Sequence, residues 1–165
     1  MGARLEGIIL RKKILRDNDL LLQVFSLSDG RIKLVQKRGC QKPQAALDLF
    51  CRNEFVISEN KDFAVIYQTA GLELFAKIRQ SYALLQNAAE AVQTVEKITS
   101  SLQPNAGLYQ ILLKHLQTLN SVVDTSALPA LKLELYRSIL LNEGIYDGKK
   151  VTEKSFWRQI ENYRG

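Results

Sequence analysis

The densest run of positively charged side chains in this sequence falls between residues 31 and 42. It carries five cations and no acid, namely Arg31, Lys33, Lys37, Arg38 and Lys42. Side chains on one face of a strand repeat about every 6–7 Å, a spacing that suits the phosphates of a nucleic-acid backbone. The run therefore predicts electrostatic contact with a polyanion. The alternative is an edge strand whose cations serve only to prevent aggregation.

The same run alternates between apolar and cationic residues. Ile32 and Leu34 fall on one side, and Arg31 and Lys33 on the other. This alternation is typical of a strand with one buried face and one charged face. Lys37 returns to the charged side if the strand continues that far, and the glycine two residues later predicts a loop.

Three cations nearer the N-terminus complete the predicted interface, provided that the first strand, the third strand and the following loop share one face. The predicted nucleic-acid-binding residues are Arg11, Lys12, Lys13, Arg31, Lys33, Lys37, Arg38 and Lys42. Residues 1–42 hold ten Lys or Arg and four Asp or Glu, whereas the rest of the chain holds thirteen of each. Such asymmetry is typical of a chain with a polyanionic partner, either nucleic acid or a membrane surface.

Residue types that support catalysis or metal binding are sparse. His115 is the only histidine and has no Cys, Asp or Glu at ligand spacing, so we expect it to be packed in the structure. Cys40 and Cys51 form no Cys-x-x-Cys pair and are expected to be reduced thiols. No nucleophile–base pair, phosphate-binding loop or metal cluster is recognisable. We therefore expect no enzyme activity, no cofactor and no metal ion.

Strand-like segments fill the first 70 residues and must position these cations. Five are predicted, over residues 4–14, 20–27, from 31, 49–58 and 63–69. The Ser28-Asp29-Gly30 turn joins the second and third segments as a hairpin. Short strands with frequent turns indicate a small antiparallel barrel. The five-stranded OB-fold, which binds oligonucleotides across one face, fits this pattern.

The hydrophobic period changes from two to 3.6 near residue 77, which indicates helices. The first helix is predicted to bury a stripe formed by Tyr82, Leu85, Ala89, Val92, Val95 and Leu102. Asn105 is a predicted N-cap of the second helix, Gly144 a predicted end of the third, and Thr152 a predicted cap of the last. We predict an α+β chain with an OB-fold barrel in residues 1–76 and a helical domain in residues 77–165.

Aromatic side chains in the predicted barrel could stack on bases. They are Phe25, Phe50, Phe55, Phe63 and Tyr67. Core packing is expected for most of them, and Tyr67 is the best candidate for an exposed ring.

Several short segments occur in a characteristic order and spacing. They are Glu6-Gly7-Ile8-Ile9-Leu10-Arg11, Asp19-Leu20-Leu21-Leu22 with Phe25, Gly30-Arg31, Lys37-Arg38-Gly39, Leu47-Asp48-Leu49-Phe50, Ile78-Arg79, Tyr82, Pro104-Asn105 before Leu108-Tyr109, and the helix from Leu131 to Tyr146. Together they resemble the RecO family of bacterial recombination mediators, over about Leu5 to Tyr146.

The resemblance implies an OB-fold domain followed by a helical domain. It implies binding of single- and double-stranded DNA and annealing of complementary strands. It also implies partnership with RecR, and assistance to RecA in replacing the single-stranded DNA-binding protein. Members of the family are not hydrolases and need no nucleotide.

One departure from the family pattern follows the third predicted helix. Many RecO proteins insert a zinc module with two Cys-x-x-Cys pairs there. Here Ile145-Tyr146-Asp147-Gly148 leads directly to the last helix. The sequence resembles a short form without the zinc module, which puts in doubt any role that the module has elsewhere.

Two other functions are compatible with the same residues. One is an RNA-binding OB-fold protein, and the other is an adaptor whose basic strand docks an acidic peptide. No apolar run approaches the roughly 20 residues that cross a membrane, so we expect no membrane partner. With the RecO resemblance, the expected location is the bacterial cytoplasm, close to the nucleoid.

Overall fold

The computed structural model describes residues 3–41, 43–58 and 64–164. Five strands are present in this part of the chain: β1 (Ala3–Ile14), β2 (Leu20–Ser26), β3 (Gly30–Gln36), β4 (Arg52–Ile57) and β5 (Ala64–Glu73). Four α-helices follow: α1 (Tyr82–Ile98), α2 (Ala106–Asn120), α3 (Leu128–Glu143) and α4 (Glu153–Arg164). The predicted α+β architecture is confirmed.

The strands close into a barrel in the order β1-β2-β3-β5-β4. Neighbours run antiparallel except β3 and β5, which run parallel with Leu34 opposite Ala64. A closed five-stranded barrel followed by helices confirms the predicted OB-type arrangement.

Alternate residues of the strands fill the barrel interior, as the two-residue period requires. The interior cluster consists of Leu5, Ile9, Leu20, Leu22, Val24, Leu34, Leu47, Phe55, Ile57 and Ile66. The residues between these positions point outward. Because Leu34 points into the barrel, Arg31 and Lys33 of β3 lie on the outside.

Part of the outside is also apolar and is covered by the helices. Ile8, Leu10, Phe25 and Phe50 are buried in one continuous cluster with residues of all four helices. Leu10 shares the outer side of β1 with Ile8 by the two-residue period, and a register shift between Ile9 and Arg11 places Arg11 on that side as well. We name this barrel surface the helix-covered face.

The turn between β2 and β3 comes close to the segment that joins α1 and α2. Gly30 has φ of +75°, and a Cβ at this position would collide with the backbone of Gln103. The Leu102 N–H donates to the Arg31 carbonyl at 3.0 Å. Gly30 is therefore required both by the turn and by this close approach.

The predicted helix ends are present. The Asn105 side chain accepts a hydrogen bond from the Leu108 N–H at 3.0 Å, and Gly144 ends α3 with φ of 73°. The Thr152 hydroxyl accepts from the Ser155 N–H at 3.0 Å at the start of α4. Among the described residues, no helix combines the length and apolar character needed to cross a bilayer.

Several strand boundaries differ from the prediction, and β5 extends to Glu73 where an end at residue 69 was expected. β3 ends at Gln36, so Lys37 lies in a turn and does not continue the charged side of the strand. β4 begins at Arg52 because Phe50 adopts a left-handed conformation, with φ of 56°, that a strand cannot contain.

The predicted buried stripe of the first helix was largely wrong. Tyr82 is 79% exposed, and Leu102 lies beyond α1 and is 71% exposed. The helix instead buries Leu84, Ala88, Ala91, Val92, Thr94 and Val95. The stripe predicted to be buried carries larger apolar residues than the stripe that is buried, which includes two alanines and a threonine. The prediction therefore chose the wrong one of two neighbouring stripes because it followed residue size.

Candidate nucleic-acid interface

One row of side chains crosses β1, β2 and β3 on the outside of the barrel. Arg11 lies opposite Gln23, and Gln23 lies opposite Lys33. Neighbouring strands are about 4.8 Å apart, which separates the Cα atoms of Arg11 and Lys33 by about 10 Å. The first and third strands thus contribute cations to one surface through β2.

Arg11 occupies the end of this row that faces α1. Its guanidinium lies 3.0 Å from a carboxylate oxygen of Glu96, whose side chain is 14% exposed. This largely buried carboxylate offsets part of the charge of Arg11, whose own side chain is 63% exposed. This cation is therefore directed toward the helices.

Arg31 also serves the contact between barrel and helices. Its Nη2 donates to the Thr99 carbonyl at 3.1 Å. Its Nε atom is buried and has no hydrogen-bond partner among the described residues. Since the Arg31 carbonyl also accepts from Leu102, both ends of this residue connect β3 to the segment after α1.

Asp19 organises the cations that follow β3. Its Oδ2 lies 3.3 Å from the Lys37 ammonium, and its Oδ1 accepts from the Arg38 N–H at 2.9 Å. The Arg38 N–H and the Lys37 ammonium hold the pKa of Asp19 below its usual value. These two contacts of Asp19 fix the turn in which Arg38 adopts a φ of 56°. They also place the Arg38 side chain in solvent.

Lys12 is paired with Asp48, at 2.7 Å between the ammonium and a carboxylate oxygen. Asp48 also lies 3.5 Å from the guanidinium of Arg79. Partial burial acts to raise the pKa of Asp48, but the hydrogen bonds from Lys12 and the Leu49 N–H outweigh it and lower the pKa. The pair joins β1 to the segment between β3 and β4.

Three predicted cations have no such partner. The side chains of Lys13, Lys33 and Arg38 are exposed, and they make no ion pair or hydrogen bond within the described part of the chain. We name these three residues the open cations. Lys42 lies outside the described residues.

Arg16 belongs to the same region, although it is not among the cations predicted from the sequence. It is exposed in a 3₁₀ turn, Arg16–Asn18, that connects β1 to β2. The Asn18 carbonyl of this turn accepts from the Cys40 N–H at 3.0 Å, which brings the turn against the segment after β3. The turn that holds Arg16 is rich in acidic residues, so the sequence pattern did not mark this arginine as part of a basic surface.

The pairing carboxylates Asp19 and Asp48 were also missed. Neither carboxylate is close in sequence to the lysine that it contacts. Lys37 and Asp19 are 18 positions apart. Only the closed barrel brings such pairs together.

Most of the barrel aromatics are structural. Phe25, Phe50 and Phe55 are at most 1% exposed, which confirms the expectation of core packing. Tyr67 on β5 is 67% exposed, as predicted, and its ring is accessible to a ligand. Phe63 lies outside the described residues.

The remaining candidate groups lie in the structure as follows. His115 is buried in α2, as expected, and burial lowers its pKa to about 4. Cys40 and Cys51 are not joined by a disulfide. Within residues 3–41, 43–58 and 64–164, no group of three or more His, Cys, Asp or Glu side chains is arranged to hold a metal ion.

Comparison with known proteins finds a family model that matches this barrel. Residues 1–75 match the family model described as Recombination protein O N terminal. The resemblance to RecO is confirmed. The chain is 29% identical over 118 residues to the DNA repair protein RecO of Pelotomaculum thermopropionicum, covering 69% of this chain and 46% of that protein.

Two further RecO proteins show how far the similarity extends. The DNA repair protein RecO of Alkaliphilus metalliredigens is 27% identical over 141 residues, covering 82% of this chain and 57% of that protein. That of Listeria monocytogenes is 26% identical over 127 residues, covering 74% and 49%. The similarity therefore continues past the barrel into the helices. The chain spans about half the length of the curated relatives that it matches.

Proposed function

We propose that this chain binds DNA through the open cations and acts as a RecO-like mediator of recombination in DNA repair. The observation that carries this proposal is the exposure of Lys13, Lys33 and Arg38 on an OB-type barrel, without acidic partners in the described residues. Barrels of this type bind oligonucleotides, and lysine and arginine contacts with phosphates supply most of the affinity. The similarity to proteins named for DNA repair supports the same setting.

All eight predicted cations remain in the proposed interface, with unequal roles. The open cations contact phosphates directly. Lys12 and Lys37 contribute less because Asp48 and Asp19 offset their charges. Arg11 and Arg31 hold the barrel against the helices and contribute mainly to the surrounding positive field.

The proposed activities are binding to single- and double-stranded DNA, annealing of complementary strands, and assistance in loading RecA. Neutralising the phosphates of two strands reduces their mutual repulsion, which is the physical basis for annealing. RecR, RecA and the single-stranded DNA-binding protein are the proposed protein partners. No catalytic step, nucleotide or metal is part of the proposal, and the proposed place of action is the bacterial nucleoid.

We further propose a division of labour near residue 76. Residues 1–76 bind nucleic acid, and residues 77–165 support the barrel and offer surfaces to protein partners. β5 ends at Glu73 and α1 begins at Tyr82, so the proposed division falls in the connecting segment.

A titration of purified protein with single-stranded DNA, duplex DNA and RNA over a series of salt concentrations tests the proposal. We expect affinity for DNA to fall linearly on a log–log plot against salt, since counterions are released from phosphates. A preference for RNA would favour the RNA-binding alternative. The absence of any salt-dependent nucleic-acid binding would favour the adaptor that docks an acidic peptide.

Strand annealing distinguishes a mediator from a simple binder. The purified protein is expected to accelerate duplex formation between complementary single strands, and to lose this effect at salt concentrations that abolish binding. Tight DNA binding without any acceleration would contradict the annealing part of the proposal.

A further inference from the structure

A cleft opens at one end of the barrel, between the end of β1 and the segment that joins β3 to β4. Its volume is about 650 Å³, within the range of about 300–1,000 Å³ that is typical of pockets for small ligands. It lies beside the turn that carries Arg38, so a strand held by the open cations passes close to it.

The walls of this cleft combine apolar and cationic groups. Ile14, Leu20 and Leu47 supply aliphatic surface, and Ile14 is 69% exposed. Lys12 and Lys13 lie at one side. The only carboxylate in the lining, Asp48, is paired with Lys12. Lys13 is therefore available to an anion.

We infer that the cleft accepts one unstacked nucleobase of a bound single strand. Aliphatic walls can contact the faces of a base, and the Gln44 side chain in the lining can hydrogen-bond to its edge. Lys13 lies where the attached phosphate would pass. The occupant is assigned by this complementarity, since a nucleotide joins a flat, largely apolar ring to a negative charge.

The inference rests on the proposed DNA-binding function and makes it more specific. A base inside a duplex is stacked and paired, and extracting it requires energy. A base in a single strand is already accessible. The cleft would therefore favour single strands over duplexes, in addition to the shared attraction of phosphates.

Two cysteines provide an internal reporter and its control. Cys40 lines the cleft and is partly exposed. Cys51 is 1% exposed, and burial raises the pKa of its thiol, opposed by Arg79 nearby. A thiol reagent such as iodoacetamide should therefore modify Cys40 in the folded protein and leave Cys51 unmodified.

The first experiment measures the rate of Cys40 alkylation with four additions: none, single-stranded DNA, a strand of abasic sites, and blunt duplex. Each nucleic acid is used at about ten times its own Kd. Single-stranded DNA is expected to slow alkylation roughly tenfold, by occupancy of the cleft. The abasic strand has phosphates but no bases, and it and the duplex should bind without comparable protection.

The outcomes separate the two levels of the proposal. Equal protection by the abasic strand would show that the backbone merely passes over Cys40, and would overturn base insertion while leaving DNA binding intact. Binding of DNA with no protection at all would overturn it in the same way. Failure of every nucleic acid to bind would contradict the proposed function itself.

A second experiment changes the cleft wall. Ile14→Ser should weaken single-strand binding roughly fivefold, because the base loses apolar contact, and should leave duplex binding unchanged. Val123→Ser removes another exposed β-branched side chain, 99% exposed in the helical part, and is the matched control. Equal affinities of the two variants for single strands would contradict the inference.

Discussion

The cations on the outside of the barrel differ in what faces them. On the helix-covered face, Arg11 meets Glu96 and Arg31 donates to the Thr99 carbonyl. Farther from the helices, Lys13 and Lys33 are exposed and form no ion pair within the described residues. The same kinds of side chain hold the fold together in one region and remain available to a ligand in the other.

This difference shows why charge alone overstates an interface. An arginine whose donors already meet a carbonyl or a carboxylate offers a phosphate little additional attraction. The buried Nε of Arg31 also shows that part of this side chain is removed from solvent. The neighbours of a cation, more than its charge, decide whether it can bind a phosphate or instead stabilises the fold.

The largest expected effect comes from reversing the open cations. The combined change Lys13→Glu, Lys33→Glu and Arg38→Glu should nearly abolish DNA binding, a loss on the order of a thousandfold at moderate salt. The salt slope for single strands should also fall by about 0.7 for each lost phosphate contact. Fluorescence anisotropy over a salt series measures both quantities.

The matched control reverses Lys149, Lys150 and Lys154, which are exposed near the start of α4. It changes the net charge equally and should retain most of the affinity. Both variants should melt near the temperature of the unchanged protein, because exposed substitutions usually affect stability little. Loss of binding in the control alone would move the interface to the helical part.

Substitutions on the helix-covered face should instead reduce stability and leave DNA binding largely unchanged. Arg31→Lys keeps the charge but loses the planar guanidinium that reaches Thr99. We expect unfolding to become easier by about 2–3 kcal/mol, while the DNA affinity of the folded protein changes less than threefold. Chemical denaturation and a binding titration give the two values. A stable Arg31→Lys protein with greatly weakened binding would contradict the structural role assigned here.

The junction between α2 and the barrel offers a smaller test. The buried Tyr109 hydroxyl donates to Glu6 at 2.6 Å. Tyr109→Phe removes this hydrogen bond to a charged acceptor and should reduce stability by about 2 kcal/mol without altering DNA affinity. Tyr82→Phe, at a position that is 79% exposed, is the control and should have no measurable effect.

The same tyrosine predicts a dependence on alkaline pH. Burial, together with the hydrogen bond to Glu6, raises the pKa of Tyr109 above its ordinary value near 10. Above that pH the unfolded chain releases the phenol proton while the folded chain retains it, so stability falls as pH rises. The fall should be shallower in Tyr109→Phe. An equal fall in the free energy of unfolding with pH in both proteins would contradict the prediction.

The smallest effect is expected at a paired cation. Lys37→Ala removes an exposed ion pair with Asp19, and such pairs contribute little to stability. DNA affinity should fall no more than about threefold, because the carboxylate already offset this charge. Lys33→Ala is the comparison and should have the larger effect. A larger loss of affinity in Lys37→Ala than in Lys33→Ala would mean that DNA displaces Asp19 and binds Lys37.

Features set by local sequence could be predicted. The alternation of β3, the cap at Asn105 and the left-handed Gly144 depend on residues within a few positions of one another. The succession of five strands and then helices follows from such local periods. The RecO resemblance used the same order of segments, and the barrel closure agrees with it.

Features set by distant contacts could not be predicted. Glu96 and Arg11 are 85 positions apart, and Thr99 and Arg31 are 68 positions apart. No local pattern indicates that these arginines face a helix while Lys33 faces solvent. The buried stripe of α1 was missed for a related reason, because its alanines and threonine carry a weak hydrophobic signal.

The continuous cluster beneath the helices limits how this protein can be rearranged. Ile8, Leu10, Phe25 and Phe50 would meet water in a barrel separated from the helices, and an exposed patch of this kind promotes aggregation. The barrel is therefore not an exchangeable module, although its strands close on themselves. In evolution, a new helical partner would have to bring a matching apolar underside before it could replace the old one.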